Sequence, residues 1–182
     1  MPETVAEVAT ALERAHETYA AASLKVPEPK TWIYLRPFSA YAEFNAPALI
    51  GSPYILVDQA STPLLAQASA AHEYFHYVQH LYMKGKTSPW WREASAVAVE
   101  TQLFPANLSW ISDYYTAGSG TLELASRLGR DESSSLYGYR VSLFAVFLAR
   151  SHGGLDFHRR VLERHVSQPI LPAVAAALGG EA

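Results

Sequence analysis

Two histidines stand four residues apart, His72 and His76, with Glu73 directly after the first. On a helix of about 3.6 residues per turn, positions four apart lie about 40° from each other on one face. Both imidazoles can therefore point at one ion, and Glu73, one step round, sits near whatever completes its coordination. Imidazole nitrogen suits zinc, and a nearby carboxylate can take a proton from zinc-bound water. With 7 His in 182 residues, a shuffled chain would show this H-E-x-x-H pattern about 0.02 times. A catalytic zinc site usually has three protein ligands plus water, so two histidines are not enough. Trp90-Trp91-Arg92-Glu93-Ala94-Ser95-Ala96 supplies a candidate third. Glu93 follows His76 by 17 positions, room for a helix end, a turn and a return helix. Ala94, Ala96 and Ala98 are small and predict a close approach of the two helices. Glu100 lies on nearly the same face as Glu93 and could accept the free N–H of a metal-bound imidazole.

The competing reading is a polar stripe between two packed helices. Burying a glutamate without a partner is costly, which argues against placing one beside two imidazoles for packing alone. His80 extends the row by another four residues, but the drift of about 40° per step makes a triple row poor geometry. It reads as a rim or surface residue.

Together, Ala71–Gln79 (AHEYFHYVQ) and Trp90–Glu100 (WWREASAVAVE) resemble the gluzincin branch of the zinc metallopeptidases. There an H-E-x-x-H helix and a W-x-x-E-[GA]-x-A segment supply His, His and Glu to zinc. The likeness is strongest to uncharacterised bacterial metallopeptidases with a double Trp before the glutamate. It spans roughly residues 50 to 155 and takes in Ser52–Gln59 (SPYILVDQ) and the segment from Tyr137 to Leu148. Carried over position by position, the resemblance implies zinc as cofactor, His72, His76 and Glu93 as its ligands, and Glu73 as general base. Thermolysin-like enzymes carry an acid four positions after the third ligand; this chain has Val97 there, and Glu100 would take its part. The implied activity is hydrolysis of a peptide or protein substrate. A non-catalytic zincin-like binding domain and a zinc hydrolase of a non-peptide amide are the competing functions, and the intact Glu73 argues against the first.

Such chemistry also needs a donor to the developing oxyanion, usually Tyr or His. Tyr137 and Tyr139 flank Gly138 just before an apolar run and are the candidates; Tyr114, Tyr115 and His152 are the alternatives. Each tyrosine also reads as a core residue with a satisfied hydroxyl. Trp90 and Trp91 read as packing that positions Glu93, and the run Val141–Leu148 as core. His158 and His165 lie on an amphipathic stretch, where a second metal site is the much weaker reading.

The elements that must position these residues follow from local signals. Val5, Val8, Leu12, Ala15 and Tyr19 repeat at helical spacing. Thr31–Arg36, Tyr41–Asn45 and Tyr54–Asp58 read as short strands between prolines and Gly51, predicting a small antiparallel or mixed sheet. Ser61-Thr62-Pro63 opens a second helix running to about Met83, and Ser88-Pro89 a third ending at Pro105. Helices are also predicted over 107–117, over Tyr139–Ser151 closed by Gly153-Gly154, over Asp156–Val166 and from Pro169 to Leu178. Helix, strands, then helices only is an α+β order, and we expect one zincin-like domain over residues 1–182.

Composition sets the outer bounds. Of 182 residues 49% are hydrophobic and only 17% charged, too apolar a chain for disorder. The 14 basic residues are scattered and the net charge is −3, which gives a nucleic-acid groove no support. The absence of cysteine removes disulfides, thiolate zinc sites and Cys nucleophiles together. No apolar run reaches the roughly 20 residues that cross a bilayer. The early acidic residues do not resemble a signal peptide, so the chain reads as cytoplasmic or as the excised domain of a secreted precursor.

Overall fold

The computed structural model describes residues 2–28, 31–37, 39–46, 51–83, 88–107 and 135–179. Helix α1 (Pro2–Ala21) buries Val8, Leu12, Ala15 and Tyr19, four of the five residues of its predicted stripe. Val5 is exposed, so the packed stripe begins a turn later, at Val8. The Tyr19 hydroxyl donates to the Ala71 carbonyl at 3.2 Å and ties α1 to the next helix.

Strands β1 (Trp32–Arg36), β2 (Ala42–Asn45) and β3 (Tyr54–Asp58) form a mixed sheet in the order β1-β3-β2. β1 runs parallel to the central β3, with Ile33 opposite Ile55 and Leu35 opposite Val57. β2 is antiparallel to β3, with Phe44 opposite Ile55 and Ala42 opposite Val57. Successive side chains in a strand alternate between faces, so these six residues share the face turned to the core. Among the described residues β2 is an edge strand.

Helix α2 (Pro63–Met83) lies under that face and is buried along most of its length. Its Ala66, Ala68, Ala70 and Ala71 are all buried, and α1, the sheet and helix α3 (Pro89–Leu103) pack around it. Both helices begin where Pro63 and Pro89 predict, because the first-turn N–H that proline lacks has no helical partner anyway. Among the described residues four shorter helices follow: α4 (Ser135–Arg140), α5 (Ser142–Ser151), α6 (Leu155–His165) and α7 (Ile170–Ala177).

Helix α3 divides two cores. Ala96, Val99 and Leu103 join the core shared by α1, the sheet and α2. Trp90, Trp91, Ala94 and Ala98 join the second, with side chains of α4 to α7 such as Ala145, Phe157 and Val174. Of the three alanines expected to face α2, only Ala96 belongs to the first core. Trp90 and Trp91 are fully buried. Burial of a side chain that size is worth at most about 4–6 kcal/mol, so these two residues weigh heavily in fixing where α3, and with it Glu93, must lie.

The single helix predicted over Tyr139–Ser151 is instead two, α4 and α5, separated at Val141 (φ −96°, ψ 8°). Both pack along α3, and the bend lets each lie against it. The Val141–Leu148 run is not core throughout, since Leu143 and Phe147 are exposed. Of the helix predicted over 107–117, Asn107 is described and is not helical; the rest, including Tyr114 and Tyr115, lies outside the described residues. Among the described residues, no helix is long and apolar enough to cross a membrane.

Candidate metal centre

The helical spacing of four turns both histidines of α2 toward α3. The Nε2 atoms of His72 and His76 lie 3.4 and 3.2 Å from the same atom, Glu93 Oε2. Two ligands bound about 2.0–2.1 Å from a tetrahedral zinc ion stand about 3.3–3.4 Å apart. Each imidazole nitrogen therefore stands from Glu93 Oε2 at about the spacing such an ion requires, and N and O donors are the types zinc takes. All three side chains are buried.

Each imidazole is held from behind. His72 Nδ1 lies 3.0 Å from Glu100 Oε2, whose other oxygen accepts from Asn107 Nδ2 at 2.6 Å. His76 Nδ1 lies 2.7 Å from Gln79 Oε1, and the Gln79 amide nitrogen donates to the Arg92 carbonyl at 3.0 Å and to Ser95 Oγ at 2.9 Å. A carbonyl can only accept, so the Gln79 amide is oriented with its oxygen toward His76. Both partners of the Nδ1 atoms are acceptors, which puts the ring hydrogens on Nδ1. A neutral ring then presents its Nε2 lone pair inward, the tautomer a metal ligand needs.

Charge is balanced among the residues of the cluster. Burial disfavours charge on His72, but the hydrogen bonds to Glu100 and Glu93, with the charges of Glu73 and Glu100, outweigh it and lift the pKa to about 10. Burial likewise disfavours charge on Glu93, yet His76 and His72 hold its carboxyl well below the usual carboxylate range. His72 therefore carries a proton at neutral pH, one that a metal ion bound by its Nε2 would have to displace. Arg92 completes the balance: its Nε and Nη2 donate to Glu93 Oε1 at 3.1 and 2.8 Å. The two oxygens of Glu93 are thereby divided, one toward arginine and one toward the imidazoles.

Glu73 is close but placed differently. A carboxylate oxygen of Glu73 and ring nitrogens of His72 and His76 lie within 4.8 Å of one another. Unlike Glu93, it is held by the sheet: Glu73 Oε2 accepts the Phe44 N–H of β2 at 2.7 Å. Between the two glutamates, Glu93 has the direct contacts to both imidazoles expected of a ligand, and Glu73 stands beside them.

The two candidate donors part company on α4. Tyr139 lies against His72, ring planes 8° apart and centroids 5.8 Å apart. Tyr137 is buried in the second core beside Trp90, centroids 6.4 Å apart. Gly138 between them makes the approach: a Cβ there would come within 2.3 Å of the Trp90 carbonyl oxygen and 2.7 Å of Glu93 Cβ. His80 is partly exposed, its ring near Phe44, in keeping with a rim residue. His152 packs near Phe157, away from the pair on α2. No second metal site forms at His158 and His165. His158 is buried among aromatic rings, and His165 is bonded to the Ser88 N–H and the Gln168 carbonyl.

Gln79, Asn107, Arg92 and the Phe44 N–H were not assigned roles from sequence. Gln79 had a usable signal, three residues past His76 on the same helical face. Arg92 adjoins Glu93 in the chain, whereas Asn107 and Phe44 reach the site only through tertiary folding. No protein-family model, no curated protein and no solved structure matches the chain.

Proposed function

We propose that this chain is a zinc-dependent metallopeptidase of the gluzincin kind, built on a zincin-like α+β fold, with His72, His76 and Glu93 as metal ligands. The observation that carries this reading is the convergence of two imidazole Nε2 atoms on Glu93 Oε2 at 3.4 and 3.2 Å, with both Nδ1 atoms tied back. Zinc bound there would polarise a scissile carbonyl and acidify a water molecule. Glu73 would be the group that accepts a proton from the attacking water and returns it to the leaving amine. Tyr139, beside His72, is the better placed of the two tyrosines to steady the oxyanion, and Tyr137 serves the packing of α3. The open edge of β2 aligns an extended peptide by backbone pairing. A purely metal-binding domain would have no use for a second carboxylate beside the ligands, and Glu73 is held there by a main-chain N–H.

The ligand set is tested by metal analysis of protein purified without added zinc. Near-stoichiometric zinc is expected in the parent. Glu93→Ala should lose most of it, and a Glu93→Ala variant that holds zinc as tightly as the parent would remove Glu93 from the set.

A further inference from the structure

The base and the substrate platform share a hydrogen bond. In an antiparallel pair, alternate residues turn their N–H and C=O toward the neighbouring strand and away from it. The Asp58 N–H donates to the Tyr41 carbonyl at 2.9 Å, which puts Tyr41, and in phase with it Glu43 and Asn45, on the β3 side. Ala42 and Phe44 therefore turn their main-chain groups to the open edge, and the Phe44 N–H is the one that reaches Glu73 Oε2. The side chain reinforces the placement. Phe44 stacks on Tyr77, centroids 5.1 Å apart, and lies near His80 at 5.9 Å. Glu73, Tyr77 and His80 follow one another at spacings of four and three, so β2 lies along one stripe of α2.

We propose that the Phe44 main-chain N–H is the positioning group for Glu73, so that the strand that receives the substrate also aims the general base. This rests on the hydrolase reading above. A charge-assisted bond from a main-chain N–H fixes one carboxylate oxygen and leaves the other to take up the proton. Because the donor belongs to a β-strand, the carboxylate is held without help from a mobile side chain. A peptide pairing along β2 would use the main-chain groups of Ala42 and the Phe44 carbonyl, and leave the Phe44 N–H on Glu73.

Phe44→Pro removes this N–H at the open edge, where proline costs the β2–β3 ladder no hydrogen bond. Zinc content and KM should stay within about twofold while kcat falls about 10- to 100-fold, a part of what general-base catalysis is worth. Phe44→Leu, which keeps the N–H, should restore most of that turnover. A second measurement does not depend on activity or on how well the proline variant folds. The Phe44 amide should be protected from hydrogen exchange in the parent and lose that protection in Glu73→Ala. Equal kcat for the Pro and Leu variants, or a Phe44 amide indifferent to Glu73→Ala, would overturn the proposal. A parent that cleaves no peptide would overturn the hydrolase reading instead, and the amide exchange would still decide whether the strand holds the carboxylate.

Discussion

At the scale of single residues, Gln79 supports His76 as Glu100 supports His72, with a neutral amide in place of a carboxylate. It is fully buried and all its hydrogen-bonding groups are engaged. Gln79→Leu would leave the His76 Nδ1–H unpaired, whereas Ser95 Oγ keeps the Trp91 and Arg92 carbonyls. The loss of such an orienting bond typically weakens metal affinity about 10- to 100-fold. Each buried polar group left unpaired costs about 1–3 kcal/mol of stability. A chelator competition titration and a urea melt measure the two effects separately; an unchanged zinc affinity would show that Gln79 only ties α2 to α3. The histidines and Glu73 are legible in sequence because helical spacing alone places them. Glu93 and Glu100 share a face of the next helix, but what sets that face against the histidines is tertiary packing. The partners Asn107 and Phe44 are not legible, since each reaches the site from 7 residues past Glu100 or 29 before Glu73, through folds that no local pattern encodes.

At the scale of elements, the decisive contact is between α3 and α4. Gly138 sits so close to Trp90 and Glu93 that any side chain must push α4 away. Overpacking of this kind costs about 1–3 kcal/mol. Gly138→Ala should therefore destabilise the protein by that amount in chemical denaturation, and should weaken zinc binding as well, because the displaced segment carries Tyr139 and leans on Glu93. A Gly138→Ala variant as stable as the parent would mean that α4 can stand off without consequence. The starts of α2 and α3 are readable from Pro63 and Pro89, and β3 from the apolar run bounded by Pro53 and Gly51. The break at Val141 is not. Nothing in the apolar run from Val141 to Leu148 disfavours a continuous helix, and the bend answers to the shape of α3 rather than to local propensity.

At the scale of the whole molecule, His158 sits where the two cores meet, with Phe75 of one and Trp91 and Phe157 of the other around its ring. Burial pushes its pKa down to about 3. Below pH 6.5 the unfolded chain binds a proton that the folded chain refuses, so stability falls as pH falls from there toward 3, by about 1.4 kcal/mol per pH unit. The metal-free His72 opposes this only near pH 6.5, where the unfolded imidazole is still taking up its proton: its raised pKa stabilises the fold in full well below 6.5, and that contribution is lost as pH rises through about 10. On going from pH 6.5 to 5 the metal-free parent should therefore lose stability relative to metal-free His158→Phe, in which the His72 contribution is the same. Equal slopes would mean that the core admits the charged ring. The same convergence of cores holds α3, and so Glu93, against the histidines of α2, which is the arrangement the proposed chemistry depends on. The most direct test of that chemistry is turnover of a fluorogenic peptide library by the zinc-loaded parent and by Glu73→Gln at matched zinc content. The account predicts cleavage by the parent and a fall of about 10² to 10⁴ in the variant, the usual worth of a general base. Undiminished cleavage with glutamine at 73, or none by the zinc-loaded parent, would contradict it.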